Sequence, residues 1–384
     1  MEEKLNRLLF AFLRSGVIGS KLSEDVQAPY CGEELPRLLK IANAHSVGHL
    51  LVLGLKQNDL LPEDQPEMEK LLLKTVFQYE RMQREYEKLC DILENAEIPF
   101  LPLKGAVLRK LYPEPWMRTS CDIDILLRQE DAQKTADLLM NAHGYTFRSK
   151  SSHDIALITP GKLHIELHYD LIESKHSATT PRVLRSVWDT ATLRPGSTCH
   201  YEMPDELFYF YHIAHMAKHF TEGGCGIRSF LDLWLLDATE NPKRDVLLQE
   251  GKLLSFAEGA RKLSRVWFGE KKHDALTAQM EDFILQGGTF GTTKTMVTIQ
   301  QQKKGGKMAY LLPKIFLPYD TLKEHYPILK KHPWLTPVME VRRWGKLIFC
   351  GNLKRTAREI QINSSLSQAD AKNAYSLLKK LGLE

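Results

Sequence analysis

Apolar residues recur at steps of three and four along most of this chain, and the rhythm changes in one stretch only. Over residues 1 to about 65, segments such as "LPRLLKIANAHSVGHLLVLGLKQNDLL" keep helical spacing up to the break at "PEDQP", which predicts a small helical unit. From Pro66 to about Asn95, Leu72, Val76, Tyr79, Met82, Tyr86, Leu89 and Leu93 extend the rhythm as one long helix. Pro66 stands near its start, where a missing N–H costs nothing.

Near residue 96 the period shortens. "IPFLPLKG" is an apolar extended run, "GAVLRKLY" can open a helix at Gly105, and "PEPWMRTSC" is a proline-punctuated loop. "DIDILL" reads as a buried strand, followed by a helix pattern from Gln129 to Asn141 that closes at His143-Gly144. "HDIALIT" and "KLHIELHYDL", joined through Pro160-Gly161, have the chemistry of a β-hairpin. Strand, helix, strand, helix, strand, strand predicts a compact α/β unit over about 96 to 172. Helical rhythm then returns in "PDELFYFYHIAHMAKHF" and "GIRSFLDLWLLDA". "QQKKGGKMAY" at 301 to 310 reads as a flexible loop, and 371 to 384 as a closing helix. The expected organisation is α+β: a helical region 1–95, a core 96–175, a helical domain 176–300, and a basic, mostly helical region 301–384.

Composition narrows this picture. A chain of 384 residues, 43% hydrophobic and 26% charged, has the balance of an ordinary globular protein. No stretch approaches the roughly 20 apolar residues that span a bilayer. The opening "MEEKLNRLLFAFLRSG" is amphipathic and interrupted by Arg7 and Arg14, unlike a secretion signal. A cytoplasmic location is expected. Cys31, Cys90, Cys121, Cys199, Cys225 and Cys350 lie far apart and read as free thiols rather than a zinc site or a disulfide scaffold. Between 301 and 355, twelve Lys or Arg face three acids within a chain of net charge +4. Nucleic acid could bind there, but a solvated basic face has the same pattern and is favoured.

Candidate chemistry gathers in the central unit. Asp122 and Asp124 alternate with Ile123 and Ile125, so both carboxylates leave one face of the strand. Side by side they call for a counter-charge, which a hard divalent cation supplies; solvation, or pairing with Arg118 or Arg128, is the alternative. His164, Glu166 and His168 alternate in the same way with Leu163, Ile165 and Leu167, and Glu166 can complete a three-acid cluster. Lys104-Gly105 stands where a strand meets a helix, where N–H groups and a lysine charge could meet a phosphate or a turn could simply form.

Together, "LPLKGAVLRKLYPEPWMRTSCDIDILL" and "LHIELHYDL" resemble the DNA polymerase β-like nucleotidyltransferase superfamily, in particular its bacterial branch of uncharacterised nucleotidyltransferases. The resemblance covers about 96 to 172 and, more loosely, the helices to about 237. It implies a polymerase β-like core, a mixed sheet with flanking helices, embedded between helical N- and C-terminal regions. It maps the glycine motif to Gly105, the Asp-x-Asp strand to Asp122 and Asp124, and the third acid to Glu166. The superfamily pattern has Gly-Ser where this chain has Lys104-Gly105-Ala106; the branch carries the Lys-Gly form and an Arg before the acids, here Arg118.

His212, His215, Lys218 and His219 share a helical face, followed by Arg228 and Asp232. Zinc binding, a core face and a nucleotide-contacting face are all open; the branch has a similar helix, which favours the last, with His215, His219 and Arg228 as contacts. Arg228 and Asp232, four apart, could also be a helical ion pair. The expected activity is metal-dependent transfer of a nucleoside monophosphate from ATP or another nucleoside triphosphate to a small-molecule, protein or RNA hydroxyl. Asp122, Asp124 and Glu166 would hold Mg²⁺ or Mn²⁺ and carry catalysis, with Lys104 and Arg118 on the phosphates. The rivals are a non-catalytic nucleotide- or nucleic-acid-binding module on the same fold, using the basic region with Trp334 and Trp344, and a metal-dependent hydrolase centred on the histidine helix.

Overall fold

Alternation of apolar and polar residues decides how the sheet sits. In the computed structural model, which describes residues 2–22, 26, 34–62, 65–171, 180–289, 293–349 and 368–383, five strands form one mixed sheet in an α+β protein. They are β1 (Phe100–Pro102), β2 (Asp122–Leu127), β3 (Thr146–Lys150), β4 (Asp154–Ile158) and β5 (His164–His168), in the order β1-β2-β5-β4-β3. β2 and β5 run parallel in the centre, with Asp124 opposite Glu166; the other pairs are antiparallel. Cys31, Cys350 and the basic stretch beyond 349 lie outside the described residues.

Ile123, Ile125 and Leu127, Ile155 and Leu157, and Ile165 and Leu167 all point to one face. There they pack on Met82, Leu89 and Leu93 of a long helix (Pro66–Asn95) and on Ala132, Ala136 and Leu139 of a second (Gln129–His143). That second helix closes on Gly144 at φ 72°, the left-handed cap that glycine adopts without strain. The alternate residues of β2 and β5 therefore emerge on the other face, and three of them are acidic. The β4–β5 hairpin turns through Pro160-Gly161 as the pattern predicts. β3 was not predicted: "TFRSK" is exposed at all five positions, so an edge strand had no apolar period to announce it, and a register shift between Phe147 and Ser149 interrupts its pairing with β4.

The first unit spans 1–218 and 226–281. Three N-terminal helices, α1 (Glu2–Ile18), α2 (Glu34–Ala44) and α3 (Gly48–Gln57), precede the long helix, α4. α1 and α3 cross where Gly16 meets Gly54: a Cβ on Gly16 would stand 2.5 Å from the Leu50 carbonyl oxygen, and one on Gly54 would overlap that of Phe12. Two glycines bring the backbones together there. α1 also stacks Phe10 on Trp267, ring centroids 4.5 Å apart.

In the second unit, 219–225 with 282–384, the described residues are largely helical. Here the expected loop at 301 to 310 is corrected: a helix (Thr293–Lys303) and another (Lys307–Ile315) meet at Gly305 and Gly306, φ 84° and 123°. Two glycines make the reversal tight, and buried Val297, Gln301 and Tyr310 anchor both arms. The closing helix runs Gln368–Lys380. No described helix is long and apolar enough to cross a membrane.

Candidate active site

The polar face of β2 and β5 gathers Asp122, Asp124, His164, Glu166 and His168. Asp124 is the innermost, its side chain 3% exposed, and its Oδ1 has two partners: Lys104 Nζ at 3.1 Å and His168 Nε2 at 2.9 Å. His168 Nε2 also lies 3.3 Å from Glu166 Oε2, and His164 Nδ1 lies 3.7 Å from Glu166 Oε1. Two groups of ligand atoms, Asp122–His164–Glu166 and Asp124–Glu166–His168, each fall within 4.8 Å.

Electrostatics distinguish the three acids. Burial and the neighbouring Asp124 charge raise the Asp122 carboxyl above its usual range. Burial would do the same to Asp124, but Lys104 and His168 outweigh it and hold the group ionised. A hydrogen bond from His168 keeps Glu166 low. Burial would deprotonate His168, yet Asp124 and Glu166 raise its pKa instead. A divalent cation fits this donor set, since oxygen ligands converge from adjacent strands and one of them is still short of counter-charge.

Lys104 holds a left-handed backbone, φ 34°, at the junction of β1 and a five-residue helix, α5 (Lys104–Leu108). Non-glycine residues rarely adopt that conformation. Its ammonium reaches both Asp124 and the buried Tyr211 phenol; burial alone would lower its pKa, but Asp124, Tyr211 and Asp122 raise it. Helix α5 is too short to offer a phosphate much dipole. A Cβ on Gly105 would come within 3.1 Å of Ser120 Oγ and 3.3 Å of Arg118 Nη1, so this glycine admits the loop that precedes the acids.

That loop is tied down from several elements. Arg118 makes two 2.9 Å hydrogen bonds to Asp232, which also accepts from the Tyr112 hydroxyl at 2.8 Å; all three are buried. Arg228 donates to the Thr119 carbonyl at 2.7 Å, so Asp232 takes Arg118 as partner rather than the arginine one turn before it. Arg109 donates to Gly105 O and Ser120 Oγ, and His49 Nε2 lies 2.7 Å from Met117 O. Arg128 covers the Trp188 ring at 5.2 Å, not the acids.

On the histidine helix, α9 in chain order (Asp205–Glu222), His212 is buried against Ser229 O at 3.1 Å. The His215 ring lies 6.2 Å from that of Tyr211, and His219 falls within the second unit. Among the described residues, no metal-capable group includes these three. The alternation of "HIELH" puts His168 on the face of Glu166 as its third polar member, and that place is the signal in the sequence for its contact with Asp124.

One polar face of the mixed sheet thus gathers carboxylates and histidines in groups that could hold a metal ion, with Lys104 beside them. The chain belongs to a family described as uncharacterised nucleotidyltransferases, whose model matches residues 32–269. No curated protein and no solved structure gives a match. The matched span contains every site residue named above.

Proposed function

We propose that this protein is a metal-dependent nucleotidyltransferase with a polymerase β-like core and its active site on the polar face of β2 and β5. The observation that carries the reading is the register of the central parallel pair: Asp124 stands opposite Glu166, with Asp122 two residues earlier on the same face. Asp122, Asp124 and Glu166 would hold the divalent cation, which when bound offsets triphosphate charge and lowers the pKa of an attacking hydroxyl. Lys104, 23% exposed, offers its ammonium to the phosphates. Glu166, at 24%, is open enough to accept a proton from an incoming hydroxyl, whereas Asp124 is sealed. The hydroxyl oxygen attacks the α-phosphorus, the bond to the β-phosphate oxygen breaks, and pyrophosphate leaves. Arg118, Arg228 and Asp232 hold the acid-bearing loop in place, and His215 flanks Tyr211.

One observation favours the non-catalytic alternative: Lys104 already gives Asp124 a counter-charge, as a protein that binds nucleotide without metal would require. A labelling experiment separates the two. With α-³²P nucleoside triphosphates, Mg²⁺ and fractionated cell extract, an enzyme transfers label to an acceptor and releases pyrophosphate, and Asp124→Asn lowers that transfer by about 10³-fold or more. Label transfer undiminished in Asp124→Asn would sink the proposal.

A further inference from the structure

Next to the acid cluster, the same sheet face carries a second convergence of ligands that shares His168 with it and adds two residues, His153 and Asp154, that nucleotidyl transfer does not use. Asp154 stands opposite His168 in the antiparallel β4–β5 pair, so their side chains share the face of Asp124 and Glu166. One nitrogen each of His153 and His168 and one oxygen of Asp154 lie within 4.8 Å of one another. His153 Nε2 stands 3.3 Å from Asp154 Oδ2, and the two imidazole centroids are 6.1 Å apart.

Ser151 Oγ lies 2.8 Å from Asp154 Oδ1 and 2.9 Å from His153 Nδ1, so one hydroxyl ties the two residues together. His168 donates through Nε2 to Asp124, and its Nδ1 is left buried without a hydrogen-bond partner in a side chain only 6% exposed. An imidazole that gives one N–H to a carboxylate and leaves its other nitrogen without a partner has the arrangement of a metal-ligating histidine with its outer-sphere support.

We propose that His153, Asp154 and His168 form a second cation site, selective for a borderline transition ion of the Zn²⁺ type. Two imidazoles and one carboxylate match that class, whereas the oxygen-rich cluster beside it suits Mg²⁺. The bound ion would satisfy His168 Nδ1 and fix the His168 tautomer that presents Nε2–H to Asp124. Three protein ligands leave a fourth position open.

The test uses the full chain, stripped with chelator and returned to millimolar Mg²⁺ to fill the oxygen-rich cluster. Co²⁺ is added and followed by its visible absorption, with Zn²⁺ as competitor. The expected result is one Co²⁺ per chain, displaced by Zn²⁺, with affinity weakened about tenfold or more in His153→Ala and in the isosteric Asp154→Asn and unchanged in Asp122→Asn. No Co²⁺ binding, or binding insensitive to both His153→Ala and Asp154→Asn, would overturn the site; loss in Asp122→Asn would move the ion to the acid cluster and overturn it equally. Nucleotide takes no part in the measurement, so its outcome is independent of nucleotidyl transfer.

Discussion

Asp124 carries its own counter-charge, since Lys104 and His168 converge on a single carboxylate oxygen. Removing the ammonium in Lys104→Met leaves a buried carboxylate with one partner, and breaking such a pair costs about 3 kcal/mol or more. The melting temperature of Lys104→Met should fall, and Mg²⁺ should restore more of it than the same Mg²⁺ adds to the parent protein, because the cation no longer competes with a fixed charge. Equal Mg²⁺ shifts in both proteins would mean that Lys104 and cation do not share Asp124. Arg118 is the second residue whose partner decides its role. Its bidentate pair with Asp232 spans 114 residues, a separation that no local pattern could reveal, whereas Arg228 and Asp232 at helical spacing suggested a pair that is not made. Arg118→Ala should strand Asp232 and lower stability by about 3–5 kcal/mol in denaturant unfolding. A variant that kept its stability and lost only nucleotide affinity would instead assign Arg118 to phosphate.

Elements were legible in proportion to how strongly burial patterned them. β2 and β5 could be read directly because isoleucine and leucine alternate with acids and histidines, and that alternation also placed three carboxylates on one face. β3 was hidden because an edge strand exposed on both faces needs no apolar period. The sequence predicts a flexible loop at 301 to 310 because glycine and lysine look alike in a loop and in a tight turn, and only the buried Val297 and Tyr310 distinguish them. At the α1–α3 crossing, sequence gave no sign that Gly16 and Gly54 meet. Gly54→Ala would drive a methyl into the Phe12 backbone, and overpacking of this kind costs about 1–3 kcal/mol. Thermal unfolding should show that loss, while Gly19→Ala, where a Cβ meets nothing within 4 Å, tests a left-handed residue by itself through its φ of 67°.

For the molecule as a whole, pH should act through histidines remote from the acids. Burial pushes His45 and His49 down to about 4 from an ordinary value of 6.5. Between those values the unfolded chain binds more protons than the folded one, so stability rises with pH through this window and is lost as pH falls from 6.5 to about 4, by up to about 3 kcal/mol per group. His49→Gln, which can still donate to Met117 O, should flatten that part of the profile; an unchanged profile would contradict the assignment. The central claim concerns the face of β2 and β5, and it is tested most directly by thermal stabilisation with each common nucleoside triphosphate, with and without Mg²⁺, in the parent protein and in Asp122→Asn/Asp124→Asn. Mg²⁺-dependent stabilisation by a triphosphate, lost in the double variant, is the expected result. Stabilisation that needs no metal or survives in the double variant, or none at millimolar triphosphate, would contradict a metal–nucleotide site on these three acids.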